Sequence, residues 1–380
     1  MIRLGIKKEV SKYFEAPAVS QSFLKRLGKG VAFTKEDEQS LYYTEKGHLV
    51  IGSAVDDRIS MGLVQFNKDY YVSERVKPSD AIMSIIQMVF DKILEEGEPA
   101  FVTLHGYTEH VQFALEFHKY QERWKLETRI NKIMELGYDY FEQLKESHGK
   151  QILSAIESMI IGNIEMSWRT HIHTSKYFVA SPTISIFYQV PVYFSCDNVD
   201  CRALLDMVIY DNATNTLQPI DFKTMAGNTT EFVSSALKFG YNFQGAFYTE
   251  ALKQLVAIPE ETTSIPELEW LINVDTVVLP FKFMVETTGF KENKMTGEVN
   301  YYQGNPLMYT LSEDQIRLGK YGRPELFYST HDIEGNPSGH ELQSRAILGF
   351  KDTLKLAVWH TMNGFEVDKN VVESGGDILI

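Results

Sequence analysis

The hydrophobic pattern changes period near the middle of the chain. Over residues 1–150 apolar positions recur mostly at helical spacing. "SQSFLKRLG" reads as a short helix capped by Ser20. "GHLVIGSAVDDRI" is an apolar segment leading into a helix. "PSDAIMSIIQMVFDKILEEGE" reads as a long helix with Ser79 or Asp80 as N-cap and Gly97 near its stop. From about Glu109 to Trp168 the chain is nearly free of proline and rich in helix formers, which predicts two or three more helices. There "QILSAIESMIIGNI" puts Ile152, Ala155, Ile156, Met159 and Ile160 on one helical face. The period then shortens. "TISIFYQVPVYFS", "CRALLDMVIYD" and "LQPIDFKTM" are β-branched and aromatic and predict three strands. Pro191 marks an edge or bulge in the first, and the turn residues of "DNATNT" join the other two. "EFVSSALKFGYNFQGAFYTEALKQL" predicts a helix or a broken helix pair, and "LINVDTVVLPFKFMVET" a long strand. Loops rich in Gly and Pro follow from Gly289 to Gly339, and "HELQSRAILGFKDTLKLAVWHTM" predicts a last helix.

No segment between these elements reads as a linker, so a single α/β domain over residues 1–380 is expected. Residues 1–150 would be a mainly helical N-terminal elaboration, 151–290 the α/β core, and 291–380 C-terminal loops and a helix. Composition narrows the class. With 44% hydrophobic and 23% charged residues the chain can bury a large core. No run of about 18 apolar residues occurs and "MIRLGIKKEV" lacks a signal-peptide core, so a cytoplasmic protein without a membrane span is expected. The two cysteines, Cys196 and Cys201, fit a reducing compartment and are too few for an iron–sulfur cluster. The net charge of −14 argues against a globally basic nucleic-acid surface.

Candidate chemistry centres on "PIDFKTM". Asp221 and Lys223 alternate on one face of a strand, and Asp206 lies on the preceding strand. A hairpin around "DNATNT" brings the two carboxylates together at one end. Adjacent carboxylates repel unless a proton or cation lies between them, and a hard cation such as Mg²⁺ takes oxygen ligands. Two carboxylates and a lysine around Mg²⁺ suit phosphodiester hydrolysis, with the lysine offsetting charge on the phosphate. On the following helix Gln244 and Tyr248 share a face, with Gln244 turned toward a polar cleft. Read as charges on an open cleft floor, Asp221 and Lys223 are expected to be replaceable without loss of the fold. Lys125, Arg129 and Lys132 share one face of a predicted helix. With Glu122 and Glu127 among them they read first as a solvated salt-bridged face, and alternatively as a phosphate-tracking stripe. His171 and His173 alternate without an evident third ligand and read as a surface pair.

The order Asp206, Asp221-x-Lys223, Gln244-x-x-x-Tyr248 over an α-β-β-β-α-β core resembles the PD-(D/E)xK nucleases of the RecB and exonuclease VIII type. "YFEAPAVSQSFLKRL" and "IGSAVDDRI" are similar to N-terminal segments of exonuclease VIII-like phage proteins. The resemblance spans about residues 10–60 and 150–290. It implies a restriction-endonuclease-like core, a mixed central sheet flanked by helices. It implies Mg²⁺-dependent cleavage of DNA, with Mn²⁺ as a substitute, starting from double-stranded ends in phage-type recombination. It assigns Asp206, Asp221 and the Phe222 carbonyl as metal ligands, Lys223 as the catalytic lysine, and Gln244 with Tyr248 as the accessory motif. It further implies a ring-shaped homo-oligomer and a single-strand-annealing partner. Two positions depart from the pattern. Asp56 stands where a histidine is usual and Gln189 where a glutamate is often found, which leaves a second metal position open. They motivate an alternative, a non-catalytic DNA-binding or assembly protein on a nuclease fold. A site-specific endonuclease is a third reading.

Overall fold

The β-branched segments form the strands expected of them: β1 (Ile184–Cys196), β2 (Val199–Asp211) and β3 (Thr216–Met225). β1 and β2 pair antiparallel along their whole length, from Ile184 opposite Asp211 to Cys196 opposite Val199. β2 and β3 pair antiparallel across the expected hairpin, with Asp211 opposite Thr216. Asn215 takes the left-handed backbone (φ 49°) in that turn, a conformation asparagine tolerates better than most residues. The long strand expected after the helix is two pieces, Val277–Val278 and β4 (Lys282–Thr287). Pro280 lies between them and has no N–H to give to a ladder. β4 runs parallel to β3, and β5 (Leu307–Thr310) closes the edge antiparallel to β4. Ile2–Arg3 pairs parallel with β1 on the other side, so the sheet is mixed and ordered Ile2–Arg3, β1, β2, β3, β4, β5. Pro191 stands where β1 has passed Ile2–Arg3; its carbonyl accepts a hydrogen bond from Thr263 Oγ1 at 3.2 Å on that side.

This computed structural model describes residues 1–28, 47–97, 103–292, 299–301, 305–323, 326–331, 337–344 and 347–363. Their contacts divide into two units. The described residues of Met1–Glu36, Trp168–Thr287 and Asn305–Ile380 form the sheet unit, and those of Asp37–Ser167 and Thr288–Gly304 a helical unit. The helical unit therefore reaches Ser167, while the described residues of Met1–Glu36, expected with the helical elaboration, and of Asn305–Ile380 group with the sheet. Among the described residues no helix is long and apolar enough to cross a membrane.

In the sheet unit, α1 (Tyr241–Ala257) lays Phe243, Phe247, Ala251 and Leu255 on Val192, Phe194, Ala203 and Leu205 of the sheet. Gly240, at φ 65°, separates α1 from the short helix Phe232–Lys238, so the broken pair is the form observed. α2 (Glu313–Tyr321) crosses α1 at Gly319, where a Cβ would sit 2.0 Å from the Asn242 carbonyl oxygen. Only glycine permits that approach. Short strands interrupt the loops expected after Gly289: Phe290–Glu292 pairs with Val299–Tyr301, and Leu326–His331 with Pro337–Ser344. The expected last helix begins at Phe350 rather than near His340. Ile347 bridges to Arg323, and Gly349 lies tight against the Gly322 backbone.

The helical unit packs Asp80–Glu95, Thr108–Phe117 and Leu126–Ser147 around Ile85, Ile86, Val89, Leu115, Ile133 and Phe141. The helix expected through Ile152 starts at Ala155, because Gln151–Ser154 is a strand parallel to Tyr70–Ser73. A capping box sets that start. Ser154 Oγ accepts from the Glu157 N–H at 3.2 Å, and Glu157 Oε2 accepts from the Ser154 N–H at 2.7 Å.

Candidate active site

The β2–β3 hairpin brings Asp206 and Asp221 together. The ladder ends at Met207 opposite Ile220, so the two aspartates occupy the next rung. Asp206 Oδ2 accepts the Phe222 N–H at 2.8 Å, closing that rung with a side chain in place of a backbone partner. Asp221 and Lys223 share a face of β3 with Leu217 and are in register with Phe283 and Val285 of β4. α1 covers this face, and Gln244 Nε2 donates to Asp221 Oδ1 at 2.6 Å. Lys223 Nζ forms an ion pair with Asp221 Oδ2. Gln244 thus faces the aspartate as its spacing implied. Tyr248, one turn on, packs its ring 5.9 Å from that of Phe281.

The expected open floor is closed. Asp221 is 2% exposed. Burial raises its carboxyl above the ordinary range, while Lys223, Asp206 and Gln244 pull it back toward ionisation without cancelling the rise. Burial alone would lower Lys223, but Asp221 and Asp206 outweigh it and hold the ammonium charged. Its Nζ lies 5.1 Å from the centre of the Tyr241 ring and 5.9 Å from that of Phe283, both able to stabilise a cation. Burial keeps the Tyr248 hydroxyl well above its usual value, with Tyr13, Asp221 and Asp206 adding to the effect. Tyr241 and Phe283 also line the site, though neither is among the predicted residues. Tyr241 shares a helical stripe with Gln244 and Tyr248 at i, i+3 and i+7, a signal that aromatic composition masked.

Phe222 points its ring to the opposite face, stacked on Trp168 at 5.1 Å and near Phe178 at 6.3 Å. Gln189 lies on the other flank. Tyr188 is opposite Met207 and Val190 opposite Leu205, which sets Gln189 across from Asp206. It is buried and left-handed (φ 50°) inside a strand. The core-facing series changes parity there in both strands, from Phe187 to Val190 in β1 and from Leu205 to Val208 in β2. A non-glycine residue holding that conformation beside two carboxylates stores strain of about 1–3 kcal/mol. Gln189→Val, β-branched and intolerant of positive φ, is expected to lower the thermal midpoint. An unchanged midpoint would mean that the strand relaxes to an ordinary rung.

No protein-family model matches the chain, and no curated protein does. Whether the residues suit a divalent cation therefore rests on the donor set. Asp206 and Asp221 offer carboxylate oxygens on one rung, and Asp221 Oδ2 already faces a cation, the Lys223 ammonium. Among the described residues no three His, Cys, Asp or Glu side chains converge. Neutral oxygens, from Gln189 or the Phe222 carbonyl, would have to complete such a site. The arrangement fits one hard cation held by two carboxylates.

The remaining predicted residues lie in the helical unit. Asp56 is half-buried on the helix Gly47–Ser60, where its carbonyl accepts from Ser60 Oγ at 2.6 Å. The three residues of the cationic stripe are on or beside the helix Leu126–Ser147. Lys125 is exposed at the N-cap of Leu126–Ser147, Arg129 donates to the Tyr120 carbonyl at 3.3 Å, and Lys132 lies 3.8 Å from Glu135.

Proposed function

We propose that this protein is a Mg²⁺-dependent deoxyribonuclease with a PD-(D/E)xK core, acting at double-stranded DNA ends. The observation that carries the reading is the convergence of Asp206, Lys223 and Gln244 on one buried carboxylate, Asp221, in the order Asp, Asp-x-Lys, Gln-x-x-x-Tyr. Asp206 and Asp221, with the Phe222 carbonyl, would hold Mg²⁺, which supplies charge to polarise a scissile phosphate and acidify an attacking water. Gln244 fixes the rotamer of Asp221 through Oδ1, and Oδ2 faces Lys223. Lys223, beside Asp221, would offset the charge developing on the phosphate. Burial excludes water from the pair and strengthens these interactions. End-dependence, a ring-shaped oligomer and an annealing partner belong to the same proposal and rest on the resemblance.

The test is a gel assay of purified protein on linear and covalently closed duplex, with and without Mg²⁺ or Mn²⁺. Linear DNA should be degraded progressively and only with metal, while closed circles survive. Discrete fragments from closed circles would replace this reading with the endonuclease one. The closed Lys223–Asp221 contact and the neutral Gln189 favour one further reading, a DNA-binding protein that cleaves nothing. Absence of both cleavage and calorimetric Mg²⁺ binding would select it.

A further inference from the structure

From the buried Asp221–Lys223 pair a line of aromatic rings leads to the surface. Lys223 Nζ lies 5.1 Å from the centre of the Tyr241 ring, and the lysine side chain is 19% exposed. Tyr241 is half-buried and backed by Phe232, stacked on it at 5.4 Å. The Phe239 ring comes next, 6.1 Å from that of Tyr241, and Phe239 is 47% exposed. Gly240 makes the corner. Its left-handed backbone turns the chain between the helix Phe232–Lys238 and α1, and the residues on either side of it bring their rings together. Each ring also meets an ammonium group. Lys238 Nζ lies 5.6 Å from the centre of Phe239. Lys25, on the helix Gln21–Leu27, places its Nζ 5.9 Å from the centre of Tyr241, and its Cε would lie 3.7 Å from a Cβ on Gly240. Two rings and two lysines therefore share one corner, and Tyr241 ties that corner to the catalytic lysine of the proposed site.

The chain carries a net charge of −14, so a polyanion needs positive charge gathered locally. Aromatic faces set among lysines are the chemistry that holds unpaired nucleotides: every base has a π-face to stack on a side chain, and its phosphates take the cations. Bases inside an intact duplex are stacked on one another and offer no such face. We propose that Phe239 and Tyr241, with Lys25 and Lys238, form a binding site for single-stranded DNA, in which a base stacks on Phe239 and the adjoining backbone passes Tyr241 toward Lys223. That this strand is a substrate rests on the nuclease reading; that it binds does not. Where both hold, the strand presented to Asp221 is an unpaired end rather than intact duplex.

The experiment uses the full-length protein in EDTA, so that no cleavage occurs. Its probe is a fluorescein-labelled oligothymidylate of about twelve nucleotides, within the span of one single-strand site. Binding is followed by anisotropy across a salt series, and circular dichroism checks the fold of each variant. Phe239→Leu keeps an apolar side chain at the corner but offers no π-face, and should bind about 5- to 150-fold more weakly, the range for losing one stacked base. Phe239→Trp restores a ring and should bind at least as tightly as wild type. Lys25→Gln/Lys238→Gln should reduce the slope of log affinity against log salt by about 1.4, the loss of two single-strand phosphate contacts. If that variant misfolds, Lys238→Gln alone, at an exposed position, should reduce it by about 0.7. No binding by wild type, or equal affinity of wild type and Phe239→Leu, overturns the site, and an unchanged slope overturns the part given to the lysines. Cleavage of linear duplex with Mg²⁺, run in parallel, separates the two ideas. A protein that cleaves but binds the oligonucleotide without regard to Phe239 loses only this inference. One that binds through Phe239 and never cleaves loses only the nuclease reading.

Discussion

Asp221→Asn is expected to lower Mg²⁺-dependent cleavage of linear duplex by about 10²–10³-fold or more, the scale of losing one preorganised electrostatic group. The amide retains the shape of the carboxylate and can still accept from Gln244 Nε2, so the helix that covers the site keeps its anchor. What it loses is the charge that holds a cation. Calorimetric Mg²⁺ binding should fall with activity, and duplex binding in EDTA should persist. Asp314→Asn, at an 87% exposed side chain on α2, is the control that should change nothing. An Asp221→Asn protein that cleaves at the wild-type rate would remove the chemistry from this rung.

Lys223→Met is expected to be costly in a different way. It leaves Asp221 buried beside Asp206 with its cation gone, and breaking a buried pair from one side typically costs about 3–5 kcal/mol. The cost should depend on pH with a definite sign. Asp221 titrates above its ordinary value in the folded protein, so the folded state holds its proton more tightly than the unfolded chain. Stability from this group is complete below the ordinary carboxyl range and lost as pH rises through the folded value. Removing Lys223 takes away a charge that lowers that value, which widens the window upward. In EDTA, Lys223→Met should therefore melt well below wild type at pH 8 and close much of the gap at pH 5. Asp221→Asn/Lys223→Met, with both charges gone, should recover most of the stability at pH 8 while remaining inactive. If Lys223→Met melts with wild type at pH 8, the pair is not buried as described.

Reading the chain alone located the strands of the hairpin, the turn between them and the approach of Asp206 to Asp221. Those features follow from local rules: period-two alternation, β-branched side chains and turn residues, none of which needs a distant partner. The stripe of Gln244 and Tyr248 was legible for the same reason, since i and i+4 fix a helical face. The box at Ser154 and Glu157 was equally local, but the apolar spacing around it suggested a longer helix. Tertiary structure decided the rest. Burial of Asp221 depends on α1 lying over β3, which no single segment encodes. The left-handed turn at Gln189 is imposed where two long strands change their core-facing parity together, a property of the pair. The division at Ser167 and Trp168 falls inside one continuous helix, so no break in the pattern marks it. Local periodicity determines which elements form and which side chains share a face. Which of those faces becomes buried, and which charges are left facing each other, is settled by packing between segments far apart in the chain.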